Sequence, residues 1–341
     1  MTGDEAAPTR RAVMTAGVVG AALAGGAGLA AAAAAAGEDA DAIRSAEYWA
    51  KKGDVALYLY RKRRDAAQSD GKPQPVLFLV HGSSISGRST FDLTVPGAGE
   101  YSMMNVFARL GYDVWTMDFE GYGHSSAGSG NSDIKSGVED LKAGIEVVAR
   151  ATGRRKFHFL GESSGALRAA AFAMAQPDRV DRLVLESFVW TGKGSPTLKK
   201  RAEDVAYFRT HARRKRDRDM IRSIFTRDKP GTSDPRVAEA LADAELKFGD
   251  TVPTGTYLDM TANLPVVDPA KVQSPVLILR GQYDGIASLQ DVLDFFAALP
   301  NPDRQFTLLA GAAHAISLGL NRAQLWHTVH GFLDMPPRAD V

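Results

Sequence analysis

The sequence predicts an α/β protein with a doubly wound, mostly parallel sheet and an inserted helical cap, and three observations carry that expectation. Near-continuous apolar runs recur along the chain, as suits strands buried on both faces of a parallel sheet. Stretches with apolar spacing near 3.6 fall between those runs, which is the helical period. One long segment, about 189–268, breaks the alternation and turns polar. The chain has 341 residues, 45% hydrophobic and 24% charged, enough to bury a large core without covalent staples. Its 41 basic and 40 acidic residues leave a net charge of +1, which argues against a general nucleic-acid binder. It contains no cysteine, so disulfides, thiolate metal sites and a cysteine nucleophile are excluded.

The N-terminal 37 residues are expected to stand apart from this globule. Residues 12–37 carry no charge, and thirteen of those twenty-six are alanine. Thr9-Arg10-Arg11-Ala12-Val13-Met14 precedes them, a paired arginine ahead of a modestly apolar run, which is the pattern of a twin-arginine export signal. Small residues near Ala34 and Ala36 suit cleavage. The expected location is therefore periplasmic or secreted, with residues 38–341 as the folded domain. An uncleaved leader retained as a membrane anchor is the alternative, since the run is long enough to cross a bilayer. Export of an already folded chain explains how an exported protein does without disulfides.

Past the leader, Val55–Tyr60 alternates as a strand does, and Pro75–Val80 is an apolar run ending at His81-Gly82. Asp113–Met117 closes on Asp118-Phe119-Glu120, and Lys156–Leu160 leads into Gly161. Val180–Phe188, Pro275–Arg280 and Arg304–Leu309 complete the set of strands. Helical spacing covers Ser102–Leu110, Asp133–Thr152, Ser164–Gln176, Ser288–Leu299 and Asn321–Leu333. Within 189–268 no clear buried strand stands out. From Lys193 to Arg236 there are fourteen Lys/Arg against six Asp/Glu. This segment is expected to be a helical lid over the carboxyl ends of the strands. The competing expectation is a solvated helix pair without functional contact.

The chemistry is expected at those strand ends. Gly161-Glu162-Ser163-Ser164-Gly165 stands between an apolar strand and an apolar helix, the context of a nucleophile elbow, where flanking glycines relieve a tight turn. Ser163 is the candidate nucleophile. A hydroxyl needs a base, and of the seven histidines His314, in Gly311-Ala312-Ala313-His314 after the last strand, is placed for it. Asp284, after the strand Pro275–Arg280, is the candidate acid that fixes the imidazole tautomer; Glu186 competes. The backbone N–H groups of Ser164 and Ser83 are the expected oxyanion donors, with His81 bracing the loop.

The His81-Gly82 turn, the Asp118–Ser125 segment, the Gly161–Gly165 elbow, Asp284 and His314 together resemble the α/β-hydrolase superfamily. In style they are closest to serine esterases and lysophospholipase-like enzymes with a helical cap. The resemblance spans nearly all of residues 50–335, and the chain order Ser163, Asp284, His314 fits it. The sequence departs from the Gly-His-Ser-Met-Gly of monoacylglycerol-lipase-like members at Glu162 and Ser164, and it has no His-Gly-Gly-Gly loop. The resemblance implies an exported serine hydrolase of carboxylic esters that works through an acyl-enzyme, without cofactor or metal. A small-molecule ester is the expected partner; membrane association is compatible with this reading and not required by it. Another acyl hydrolase or an acyl transferase on the same fold is the alternative, and a non-catalytic ligand-binding member is a second class. Trp190, Tyr257, Leu258, Leu264, Ile286 and Ile316 are expected to line an acyl or aryl pocket. The basic residues of the insertion either ring its entrance or face solvent elsewhere.

Overall fold

The computed structural model describes residues 42–65 and 73–336. The expected leader, 1–37, lies outside the described residues. The strands run β1 (Ile43–Lys52), β2 (Val55–Arg64), β3 (Val76–Val80), β4 (Asp113–Met117), β5 (Phe157–Glu162), β6 (Val180–Glu186), β7 (Arg213–Lys215), β8 (Thr251–Pro253), β9 (Val276–Gly281) and β10 (Arg304–Leu309). Eight of them form one sheet in the order β1-β2-β4-β3-β5-β6-β9-β10. β1 and β2 pair antiparallel, as do β2 and β4, and every pairing from β4 to β10 is parallel. This is the α/β-hydrolase fold.

Alternation along each strand builds a core on each face of the sheet, because successive side chains point to opposite sides. In β3, Val76, Phe78 and Val80 enter one core, beneath the helices Ile134–Thr152, Ser164–Ala175 and Leu289–Ala298. Leu77 and Leu79 enter the other, under Met103–Arg109 and Arg322–Leu333. The long helix starts where Asp133 accepts the Ser136 N–H at 2.6 Å, and it stops at Gly153, whose φ of 70° ends the helical path.

The register aligns the carboxyl ends of the parallel strands. Val80 lies beside Gly161, Glu162 beside Glu186, Glu186 beside Leu279, and Gly281 beside Leu309. The loops after β3, β5, β6, β9 and β10 therefore leave the sheet at one edge, where open α/β sheets bind ligands.

An inserted helical cap occupies the connection from β6 to β9. Its main helices are Pro196–Arg201, Val205–Thr210, Arg218–Thr226 and Pro235–Glu245. The segment also holds the antiparallel pair β7–β8, with Arg213 opposite Pro253, which the polar composition of the insertion concealed. A third apolar cluster seats the cap on the sheet. Ile221, Phe225, Val237 and Leu241 of the cap pack with Ile85 from the loop after β3, and with Ala315 and Leu318 from the loop after β10. No helix among the described residues is long and apolar enough to cross a membrane.

Candidate active site

Ser163 sits at the turn from β5 into the helix Ser164–Ala175 with φ 59° and ψ −122°. Two close backbone approaches make that turn. A Cβ on Gly165 would lie 2.1 Å from the Val80 carbonyl oxygen, and one on Gly82 would lie 3.3 Å from the Ser163 Cβ. Only glycine lets the helix start abut β3 while the next loop passes the serine. Ser164 is the first residue of the helix, so its N–H has no intrahelical acceptor.

The structure brings three of the expected residues into one hydrogen-bonded chain. His314 Nε2 lies 3.0 Å from Ser163 Oγ, and His314 Nδ1 lies 2.9 Å from Asp284 Oδ1. Ser163 and His314 are 151 residues apart, and His314 and Asp284 are 30 apart. The histidine loop is held from behind by the Ser187 hydroxyl, which donates to the His314 carbonyl at 2.6 Å. Burial opposes the charge on Asp284, but His314 and the Ile286 N–H, 2.8 Å from Oδ1, outweigh it and hold the carboxyl below its ordinary value. Arg280, at the end of β9, wraps the acid loop by donating to the carbonyls of Gly281, Gln282, Asp284 and Ala287 at 2.8–3.2 Å.

Glu186, the competing acid, does not reach the imidazole. Its Oε1 accepts the Ser317 N–H at 3.0 Å, while the Ser317 hydroxyl donates to Glu162 Oε2 at 2.8 Å. Ser317 thus bridges the buried Glu186 and the half-buried Glu162. Burial, then the neighbouring Glu162, pushes the Glu186 carboxyl well above its ordinary value. Glu162 is raised as well, again by burial.

The loop after β3 carries Ser83, and several of its backbone groups are tied down. His81 Nε2 accepts the Phe119 N–H at 3.2 Å, so Nδ1 carries the proton and donates to the Gly82 carbonyl at 2.8 Å. Burial, with the Arg168 charge nearby, holds His81 down to about 3 and hence neutral. The Tyr122 hydroxyl donates to the Ser83 carbonyl at 2.8 Å, and Arg216 donates to that of Ser84 at 3.2 Å. Glu245 accepts from Ser86 N at 3.0 Å, and Asp118 accepts from Gly87 N at 2.8 Å. Arg216 and Glu245 are themselves a buried ion pair contributed by the cap. The Ser83 hydroxyl donates to that of Ser164 at 2.8 Å, which ties the loop after β3 to the first residue of the helix beside Ser163.

A cleft of about 40 Å³ is lined by Gly82, Ser83, Ser163, Arg201, Arg227 and His314 among others. It shares Ser84, Arg201, Ile224 and Arg227 with a cavity of about 700 Å³ under the cap. Tyr257 lines that cavity, and its hydroxyl lies 2.6 Å from Ser84 Oγ. The other apolar residues expected there are placed elsewhere. Ile286 and Ile316 are buried in the two main cores, and Trp190, Leu258 and Leu264 pack against the first, with Trp190 Nε1 donating to the Val267 carbonyl. These five apolar side chains were taken up by the cores, and the cavity wall mixes polar residues with Pro196, Met220, Ile224 and Tyr257. The basic residues of the insertion divide in the same way. Lys200, Arg201, Arg214 and Arg227 line the cavity. Arg218, Arg222 and Arg236 are paired with carboxylates on the outer surface of the cap. No group of three or more His, Asp or Glu among the described residues is arranged to hold a metal ion.

Of the supporting residues, Arg280 left one trace in the sequence, a charge ending an apolar strand. Arg216, Glu245, Tyr122 and Ser317 left none, because each acts on a partner distant in the chain.

A family model described as serine aminopeptidase, S33, matches residues 94–319. Among solved structures, the 2-hydroxy-6-oxo-6-phenylhexa-2,4-dienoate hydrolase of Rhodococcus sp. strain RHA1 is 17% identical with a TM-score of 0.62, over 86% of this chain and 100% of that one. Carboxylesterase CesB of Bacillus subtilis is 17% identical with a TM-score of 0.60, over 91% of this chain and 98% of that one. At such identities the likeness is one of fold. A curated 2-hydroxy-6-oxononadienedioate/2-hydroxy-6-oxononatrienedioate hydrolase of Paraburkholderia phymatum is 32% identical over 129 residues. That match spans 37% of this chain and 40% of the length of the relative.

Proposed function

Because the chain belongs to the serine aminopeptidase, S33, family of α/β hydrolases, we propose that it is a serine hydrolase that cleaves carboxylic esters through Ser163, His314 and Asp284. The observation that carries this reading is the unbroken hydrogen-bonded chain from Ser163 Oγ through the imidazole to Asp284, opening on a cleft.

In this reading Ser163 Oγ attacks the ester carbonyl while His314 Nε2 takes its proton. Asp284 keeps Nδ1 protonated and stabilises the imidazolium. The N–H groups of Ser83 and Ser164 receive the oxyanion from a loop already fixed in place, so little reorganisation accompanies the charge. Collapse of the tetrahedral intermediate breaks the ester C–O bond, and His314 returns the proton to the departing alcohol. Water then attacks the acyl-enzyme, His314 again taking a proton, and the acid leaves as Ser163 regains its hydrogen. An ester fits better than the N-terminal amide of a peptide, since an α-ammonium group would meet Arg201 and Arg227 at the cleft. Export guided by Arg10 and Arg11 is part of the same proposal.

The test is covalent labelling by a fluorophosphonate together with turnover of a 4-nitrophenyl ester. Labelling should vanish in Ser163→Ala. Turnover should fall by about three or more orders of magnitude in Ser163→Ala and His314→Ala. Near-normal turnover in either variant overturns the assignment.

A further inference from the structure

The cap places more positive charge at the cleft than it neutralises. Arg201 and Arg227 line both the cleft over Ser163 and the large cavity beside it. Arg201 makes no hydrogen bond or ion pair with any described residue. Its guanidinium lies 5.2 Å from the centre of the Tyr257 ring, and that of Arg214 lies 4.6 Å from the same ring. Arg227 has two acidic neighbours: Asp228, with 3.5 Å from the arginine Nε to Oδ1, and Asp284, whose carboxyl its charge helps to hold down. Its buried Nε and Nη2 donate to no described acceptor. The other carboxylates on the cavity wall are Glu203 and Asp204, which are exposed, while Asp284 is engaged by His314. Burial, then repulsion from Arg227 and Arg214, lowers Arg201 to about 10, so it remains a cation at neutral pH.

Three other arginines of the cap are paired with carboxylates. Arg216 holds Glu245, Arg222 holds Glu239 and Arg236 holds Asp234. Half-buried cations with too little counter-charge are costly, and so are buried donors left unmade, as at Arg227. An anion entering the cleft relieves both costs. A guanidinium fork matches a planar carboxylate in bidentate fashion, and a cleft of about 40 Å³ suits so compact a group.

We propose that Arg201 and Arg227 form a carboxylate-binding subsite beside Ser163, so that the substrate is an ester carrying a second, ionised carboxylate close to the scissile carbonyl, as in a half-ester of a dicarboxylic acid. The proposal names the substrate class of the ester hydrolysis described above and rests on that reading for its chemistry, though the subsite itself is testable without turnover.

The first measurement is kcat/KM for mono-4-nitrophenyl glutarate and for 4-nitrophenyl pentanoate, which match in size and differ in charge. The wild-type enzyme should favour the anionic ester by about tenfold or more, the scale of charge-assisted hydrogen bonds in a dry site. That ratio should drop about tenfold in Arg201→Met, Arg201→Gln and Arg227→Met, and stay put in Arg209→Met, an exposed cap arginine outside both cavities. The second measurement is calorimetric binding of glutarate to full-length Ser163→Ala, with and without Arg201→Gln; thermal melts confirm that each variant is folded. Binding that Arg201→Gln abolishes supports the subsite even if neither ester is hydrolysed, in which case the ester reading fails alone. Hydrolysis of both esters without charge preference, with no glutarate binding, overturns the subsite and leaves ester hydrolysis standing. Tighter binding of inorganic phosphate than of glutarate overturns the choice of carboxylate.

Discussion

A serine at φ 59° and ψ −122° occupies a sparsely populated region that costs a non-glycine residue roughly 1–3 kcal/mol. The neighbours keep it there. The Ser163 N–H is bound to the Glu186 carbonyl at 2.9 Å, and the Ser163 carbonyl accepts from Ala166 N at 3.0 Å. The same Glu186 supplies a prediction through its side chain. Its folded-state carboxyl lies well above 4.5, so the folded chain holds that proton more tightly than the unfolded chain. The resulting stabilisation is complete below about pH 4.5 and is lost as pH rises through the folded value. Glu186→Gln has no proton to lose and keeps an acceptor for Ser317. Its melting temperature relative to wild type should therefore climb as pH is raised above 4.5. Parallel melting curves across that range would show that Glu186 is not protonated in the folded protein. Asp284→Asn, by contrast, should depress turnover far more than Glu186→Gln, because only Asp284 bonds to the imidazole. At this scale the sequence was informative where a residue type and its place after a strand coincide, as at Ser163, Asp284 and His314. It was silent on Arg201, whose significance is the carboxylate it lacks. No local pattern encodes a missing partner.

Among the elements, the loop from Gly82 to Gly87 couples the sheet to the cap. Its Ser84 carbonyl and Ser86 N–H are held by Arg216 and Glu245, which belong to the insertion. The cap is thus a structural part of the expected oxyanion loop as well as a cover for the cavity. A buried pair loses about 3–5 kcal/mol when one partner is removed, because the other charge is stranded, whereas replacing both with apolar residues is often close to neutral. Arg216→Met and Glu245→Leu should each lower stability by about that amount, and the double variant should recover much of it. Turnover should not recover with it, since no apolar side chain can hold Ser84 and Ser86. Denaturant titration and kcat measured on the same three proteins test this; a double variant with normal kcat would free the loop from the cap. The strands and longer helices of the sheet domain were legible from periodicity, β1 and the five-residue helix Gly87–Phe91 excepted, because they obey the two repeats that burial imposes. The cap was legible only as an interruption. Its helices are short, and β7 and β8 have three residues each, too few for any period to register.

For the molecule as a whole, the leader and the order of the chain matter most. If Arg10 and Arg11 direct export, the full-length protein should leave the cytoplasm and the double change Arg10→Lys, Arg11→Lys should retain it there. Fractionation of cells expressing both forms decides the point, and equal export would indicate a general secretory signal or an anchor. Chain order has a consequence in time. Ser163 and His314 are separated by 151 residues, so at about 5–20 residues per second a ribosome completes the elbow about 8–30 s before it supplies the base. Through that interval the hydroxyl has no imidazole to take its proton. The last parallel strand must also dock on β9 before the loop after it can deliver His314 to the edge where Ser163 waits. On the proposed mechanism an emerging chain is therefore chemically silent toward esters around it, and reactivity arrives in one step with the completion of the sheet.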